Sequence, residues 1–236
     1  MIRKRIPERA RAPALRPIVA VLGGTFDPVH YGHLRLAAEV RTALALPEIR
    51  LVPAADPPHR APPVASAGDR VAMLELALPE FPGLVLDTRE IARGGKSYTV
   101  DTLAELRQEN SAASLVLLVG ADAFRGLPAW HRWRELFDLA HLVVVPRPDV
   151  PLDDLPGPLA GEWRARFTGD PRLLRSRIGG SIYLQPVTAQ PVSSTAVRDA
   201  LADGGAATAR IAGLLPAAVL AYIESKRLYS YPPNAS

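Results

Sequence analysis

Apolar runs at residues 18–22, 115–119 and 142–145 are short and continuous, and a glycine or proline follows each at once. Strands covered on both faces of a parallel sheet read this way. Segments at 49–52, 84–87 and 181–184, each with a polar residue among the apolar ones, predict further strands. Between them the apolar spacing lengthens to a helical period. Helices are predicted from near Gly32, over 69–78, over 99–108 with Leu103 and Leu106 inward, and over 215–226 with Pro216 in the first turn. Strand alternating with helix implies an α/β fold, a doubly wound parallel sheet with a short C-terminal helical part. No repeat of solenoid length is present.

Residues 150–180 break this rhythm with Pro151, Pro156, Gly157 and Pro158, and then with Arg164, Arg166, Arg172, Arg175 and Arg177. They read as a surface insertion or mobile segment whose charges face water. Three parts follow: a basic tail over 1–16, expected to be disordered, an α/β domain over 17–200, and a helical segment over 201–236 packed on that domain.

With 236 residues and 48% hydrophobic content, one medium domain has ample core. No apolar stretch approaches the roughly 18 to 20 residues that cross a bilayer. Zero cysteines exclude disulfides and thiol chemistry, and a cytoplasmic protein fits. The formal charge of +4 owes much to Arg3, Lys4, Arg5, Arg9, Arg11 and Arg16. Pro7, Pro13 and Pro17 argue against an amphipathic targeting helix there, and no aromatic residue accompanies the charges as a specific nucleic-acid site would need.

The densest chemistry stands where the first strand ends, in Gly23-Gly24-Thr25-Phe26-Asp27-Pro28-Val29-His30-Tyr31-Gly32-His33. A buried strand running through a glycine turn into a helix presents free backbone N–H groups and a positive helix end to an anion. Gly23 and Gly24 remove side chains that would hold a ligand off the backbone and permit positive φ. His30 and His33, three apart, can face one mouth of the sheet and donate to phosphate oxygens. Turn glycines and capping histidines account for the same residues without chemistry. A zinc site is poorly supported, because no third ligand stands at regular spacing.

This block resembles the nucleotidylyltransferase superfamily, and within it the bacterial nicotinate mononucleotide adenylyltransferases. Three later segments resemble the same family in order: Pro57-Pro58-His59-Arg60, Ser97-Tyr98-Thr99 and Val192-Ser193-Ser194-Thr195-Ala196-Val197-Arg198, the last with valine where isoleucine is usual. The resemblance implies a Rossmann-like nucleotidylyltransferase fold. It implies that Gly23, Gly24, Thr25, Phe26, His33, Asp122, Arg147, Ser193, Ser194, Thr195 and Arg198 bind ATP. His59, Arg60, Tyr98, Thr99 and Trp130 would bind the nicotinate nucleotide, with Trp130 stacked on the pyridine ring. His30, His33 and Arg198 would carry catalysis. Other duties fit the same residues: a proline-rich turn at 57–60, an N-cap at Ser97 or Thr99, core packing for Trp130 and Trp133, and a capped helix at Ser193 or Ser194.

The implied reaction joins ATP to nicotinate mononucleotide, releasing pyrophosphate and yielding nicotinate adenine dinucleotide for NAD biosynthesis. Mg2+ would ride on the ATP phosphates, with no metal held by the protein, and Asp27 is too isolated to serve as a ligand. The expected partners are these two small molecules, with no membrane and no specific nucleic acid; the oligomeric state is left open. Two alternatives stand beside this reading. One is a sibling transferase acting on nicotinamide mononucleotide or phosphopantetheine, and the other a non-catalytic nucleotide- or RNA-binding protein.

Overall fold

The computed structural model describes residues 15–58 and 61–229. Residues 1–14 of the basic tail, and His59 and Arg60, lie outside the described residues. Arg16 donates to the Ala112 carbonyl at 2.9 Å and so lies against the domain.

The chain enters through β1 (Ile18–Gly24), α1 (Tyr31–Ala43), β2 (Ile49–Pro53), α2 (Ala67–Ala77) and β3 (Leu84–Leu86), then α3 (Arg89–Arg93) and α4 (Thr99–Glu109). Next come β4 (Ser114–Gly120), α5 (Ala121–Arg125), α6 (Leu136–Leu139) and β5 (His141–Val145). Residues 150–180 carry α7 (Gly157–Arg166) and a two-residue edge strand, β6 (Phe167–Thr168). The chain continues through β7 (Ile182–Leu184), α8 (Ser194–Asp203), α9 (Gly205–Ile211) and α10 (Ala217–Lys226). Pro216 is the residue before α10 and not part of its first turn.

The seven strands form one sheet in the order β3-β2-β1-β4-β5-β7-β6, with every pairing parallel. Side chains alternate between two cores, as the period of a strand requires. Ala20, Val116, Leu118, Val143 and Val145 join the core beneath α1, α2 and α10. Val21, Leu115, Leu117, Val119, Leu142 and Val144 join the core beneath α4, α6 and α7. No helix among the described residues is long and apolar enough to cross a membrane.

The first three strands step outward from β1 in one direction, and α4 carries the chain back across to β4 on the other side. Connections therefore diverge on either side of the β1–β4 pair. A crevice opens at the carboxyl ends of strands at such a reversal, the ordinary place for a ligand in an open α/β sheet. Gly24 and Gly120 end the two strands there.

Candidate active site

Gly23 and Gly24 continue β1 in extended backbone, and the positive φ expected of them falls instead on Phe26, at 50°. A Cβ on Gly23 would meet nothing within 4 Å, which leaves room for a ligand against the backbone, while one on Gly24 would lie 3.2 Å from the Phe26 ring. Phe26 is completely buried. Its ring meets His33 edge-on at 5.1 Å between centroids and presents no surface of its own to the crevice.

His30 is the N-cap of α1, extended at φ −147°, and its ring stacks on His33 at 3.8 Å with 24° between planes. Gly32 makes that seat possible. A Cβ there would stand 2.9 Å from the His30 ring and 2.8 Å from Val192 Cγ1, closer than packed atoms approach. The glycine is required here for space, at a helical backbone that any residue adopts. His30 is 4% exposed, and its Nδ1 finds no partner outside its own residue among the described residues. Burial, with the Arg147 charge adding to it, brings its pKa from 6.5 down to about 4, so at neutral pH the ring is an uncharged donor–acceptor.

That depression has a measurable sign. In the unfolded chain the imidazole takes its proton near pH 6.5, and in the folded protein only near 4, so falling pH favours unfolding throughout that window. We expect this group to cost about 2 kcal/mol of stability between pH 7 and pH 5. Urea midpoints at the two pH values should show that loss in the wild type and a smaller one in His30→Gln. Buried His141, whose pKa burial also lowers, acts in the same direction in both proteins.

The turn into α8 is joined to the β1 loop. Ser193 caps α8 by accepting from the Ala196 N–H at 3.2 Å. Ser194 donates to the Pro28 carbonyl at 3.1 Å, and Arg198 to the Asp27 carbonyl at 2.7 Å and to Thr195 Oγ1 at 3.3 Å. Arg198 is thus a strut of the loop as it stands. Across the crevice, Asp122 in the first turn of α5 pairs with Arg147 beyond β5 at 3.6 Å, and both side chains are about half exposed. A Cβ on Gly120 would meet Asp122 Oδ1 at 2.8 Å.

A second wall lies beyond β2. Lys96 pairs with Asp56 at 2.7 Å, the Ala55 N–H donates to Ser97 Oγ at 2.8 Å, and the Ser97 N–H donates to the Asp56 carbonyl at 2.9 Å. Ser97 therefore fastens the loop after β2 to the approach of α4. The N-cap of α4 is Tyr98, with no side-chain cap bond, so the alternative duty of N-cap falls to neither Ser97 nor Thr99. Tyr98 packs its ring 4.3 Å from that of exposed His131, a pairing sequence reasoning passed over, and half-buried Trp130 precedes His131. Trp133 is buried at 7% exposure against Phe137 and belongs to the core. The loop where His59 and Arg60 were expected to bind phosphate is described only to Pro58 and from Ala61 onward.

Asp27 proved more important than its isolation suggested. At 4% exposure its carboxylate accepts from the Val64 N–H at 2.7 Å, the Ala65 N–H at 3.0 Å and the Tyr229 hydroxyl at 2.7 Å. Buried Arg70 donates to the Thr25 carbonyl at 2.8 Å. No group of three or more His, Cys, Asp or Glu able to hold a metal ion occurs among the described residues.

A stacked imidazole pair at a helix start, facing a crevice with arginines on two sides, suits the handling of phosphates. Comparison with known proteins points the same way. Residues 21–200 match the family described as cytidylyltransferase-like. A probable nicotinate-nucleotide adenylyltransferase of Methylococcus capsulatus is 48% identical over 214 residues, covering 90% of this chain and 100% of that one. One of Halorhodospira halophila is 47% identical over 214 residues, covering 91% and 96%. Among solved structures, the nicotinic acid mononucleotide adenylyltransferase of Plasmodium falciparum complexed with NaAD shares the fold at a TM-score of 0.69 and 14% identity, over 90% of this chain and 97% of that one. The chain belongs to the cytidylyltransferase-like family and, within it, to the nicotinate-nucleotide adenylyltransferases, which makes it a nucleotidyltransferase.

Proposed function

We propose that this protein catalyses attack of the nicotinate mononucleotide phosphate on the α-phosphorus of ATP. A bond forms between that phosphate oxygen and the α-phosphorus. The bond from the α-phosphorus to the bridging oxygen breaks, and its electron pair leaves with pyrophosphate. The product is nicotinate adenine dinucleotide, on the route to NAD. The observation that carries the reading is the His30–His33 stack at the start of α1, tied through Ser194 and Arg198 to the α8 turn. The attacking phosphate is already anionic, so the protein needs to position groups and neutralise charge and requires no strong base.

In this reading His30 and His33 donate to phosphate oxygens as charge shifts to the leaving group, and Ser193, Ser194, Thr195 and Arg198 line the path of the departing pyrophosphate. Gly23, Gly24 and Thr25 bring backbone to the triphosphate, and Asp122 and Arg147 meet the nucleotide from β4 and β5. Tyr98, Thr99 and Trp130, with His59 and Arg60, receive the nicotinate nucleotide. Among the described residues, Asp27 accepts three bonds and Asp122 faces Arg147, so these two carboxylates are already engaged. In this reading the divalent cation is Mg2+, carried on the ATP phosphates. The protein acts in the cytoplasm on small molecules, without a membrane or a specific nucleic-acid partner.

Pyrophosphate release from Mg-ATP, measured in parallel with nicotinate mononucleotide, nicotinamide mononucleotide and phosphopantetheine, tests the proposal. Fast turnover with the acid nucleotide alone is expected. Preference for either other acceptor would overturn the substrate assignment, and no turnover with any would overturn the reaction.

A further inference from the structure

Three distant segments meet at one residue, Asp27. The carboxylate of Asp27 receives the Val64 and Ala65 N–H groups ahead of α2 and the hydroxyl of Tyr229 beyond α10, while its main-chain carbonyl receives Arg198 of α8. Three residues later stands His30, the N-cap of α1. Pinning Asp27 therefore fixes the entry of the chain into the helix that carries both imidazoles. The loop needs such a clamp, because Phe26 holds a left-handed φ of 50° that is strained for a bulky residue.

Tyr229 reaches Asp27 through a deliberate reversal of the chain. At the end of α10, Arg227 adopts φ 53°, its N–H donates to the Glu224 carbonyl, and the Leu228 N–H donates to the Ile223 carbonyl at 3.0 Å. This paired-bond ending folds the next residues back toward the helix. Tyr229 itself sits at φ 62° and 8% exposure. Burial, reinforced by the Asp27 carboxylate, raises its phenol well above the usual range, so the hydroxyl remains a donor at any working pH.

We infer that Tyr229 is a positioning residue for catalysis: through Asp27 it holds the loop that seats His30, although it touches no substrate itself. This rests on the adenylyl-transfer reading of the site. Nothing in the general chemistry of phosphate binding calls for a tyrosine 202 positions from the loop it serves.

The test uses the full chain, with Tyr229→Phe removing one oxygen and keeping the ring in the core. Tyr222→Phe is the control. Its hydroxyl, presented by α10 itself, donates to Asp69 Oδ1 at 2.9 Å and does not reach the β1 loop. With Mg-ATP and nicotinate mononucleotide, Tyr229→Phe should lower kcat about tenfold with KM for the acid nucleotide within about twofold, the loss of one hydrogen bond to a charged group. Tyr222→Phe should leave kcat unchanged. Amide hydrogen exchange should quicken over residues 25–33 in Tyr229→Phe and stay as in the wild type over β4.

An unchanged kcat in Tyr229→Phe overturns the inference. So does a kcat loss matched by Tyr222→Phe, or one accompanied by faster exchange throughout the sheet, since either marks general destabilisation. An inactive wild type would instead overturn the reaction assigned above, and loop exchange would still decide whether Tyr229 holds the loop.

Discussion

His30→Ala is expected to lower kcat for pyrophosphate release by about 10²- to 10³-fold, the usual cost of removing one fixed donor from a site where charge develops. The KM values should move little, because the ring is already buried and stacked before substrate arrives. Its charge state sharpens the expectation. Burial and Arg147 hold the free imidazole at a pKa of about 4, so at pH 7 it enters the reaction neutral. A triphosphate drawn into the crevice brings negative charge beside it, which favours the protonated form. ATP binding at pH 6 should then be accompanied by proton uptake. Titration calorimetry in two buffers of different ionisation enthalpy would show it in the wild type, and His30→Ala should abolish it. Full activity in His30→Ala would remove the imidazole from the mechanism.

Gly32→Ala should separate stability from activity. Alanine in place of a helical glycine is worth about 1 kcal/mol of helix propensity. Against that stands a methyl 2.8 Å from Val192 and 2.9 Å from the His30 ring, an overpacking that costs about 1 to 3 kcal/mol. The net is from about zero to about 2 kcal/mol of destabilisation, and a thermal midpoint no more than about 8 °C below wild type is expected. Activity has no such compensation. The added methyl pushes both His30 and the residue preceding the α8 cap, and a displacement near 1 Å in a positioned group costs about a hundredfold. In a His30→Ala background most of that cost should vanish, since the ring being displaced is gone. Additive losses in the double variant would mean that Gly32 acts on something other than His30.

The central strands were legible because β4 and β5 are buried on both faces, leaving no polar position to blur the runs at 115–119 and 142–145. One-turn helices such as α5 and α6 escaped, being too short to display a period. At the site, the glycines and histidines of the β1 loop announced themselves because their spacing is local. Local spacing did not reveal why Gly32 is glycine, since the atoms it avoids include Val192, far along the chain. Asp27 looked isolated for the same reason. Its partners Val64, Ala65 and Tyr229 come from other segments, and two of them contribute only a backbone N–H, which any residue but proline supplies. Ser97 was visible as a hydroxyl before a helix, yet its real duty, accepting from Ala55, depends on a parallel bridge between Asp56 and Lys96, 40 positions apart.

The bond between Tyr229 and Asp27 spans 202 positions, and this sets an order of events during synthesis. At about 5 to 20 residues per second, a ribosome needs roughly 10 to 40 s to make the intervening chain. During that interval each strand joins the sheet as it is made, β7 last at residue 184, while the loop bearing the two imidazoles lacks its last tie. A nascent chain that ends between α8 and Tyr229 would thus have its nucleotide crevice without the hydrogen bond that holds the loop in its working shape. Adenylyl transfer would reach its full rate only as a late event in the life of each molecule.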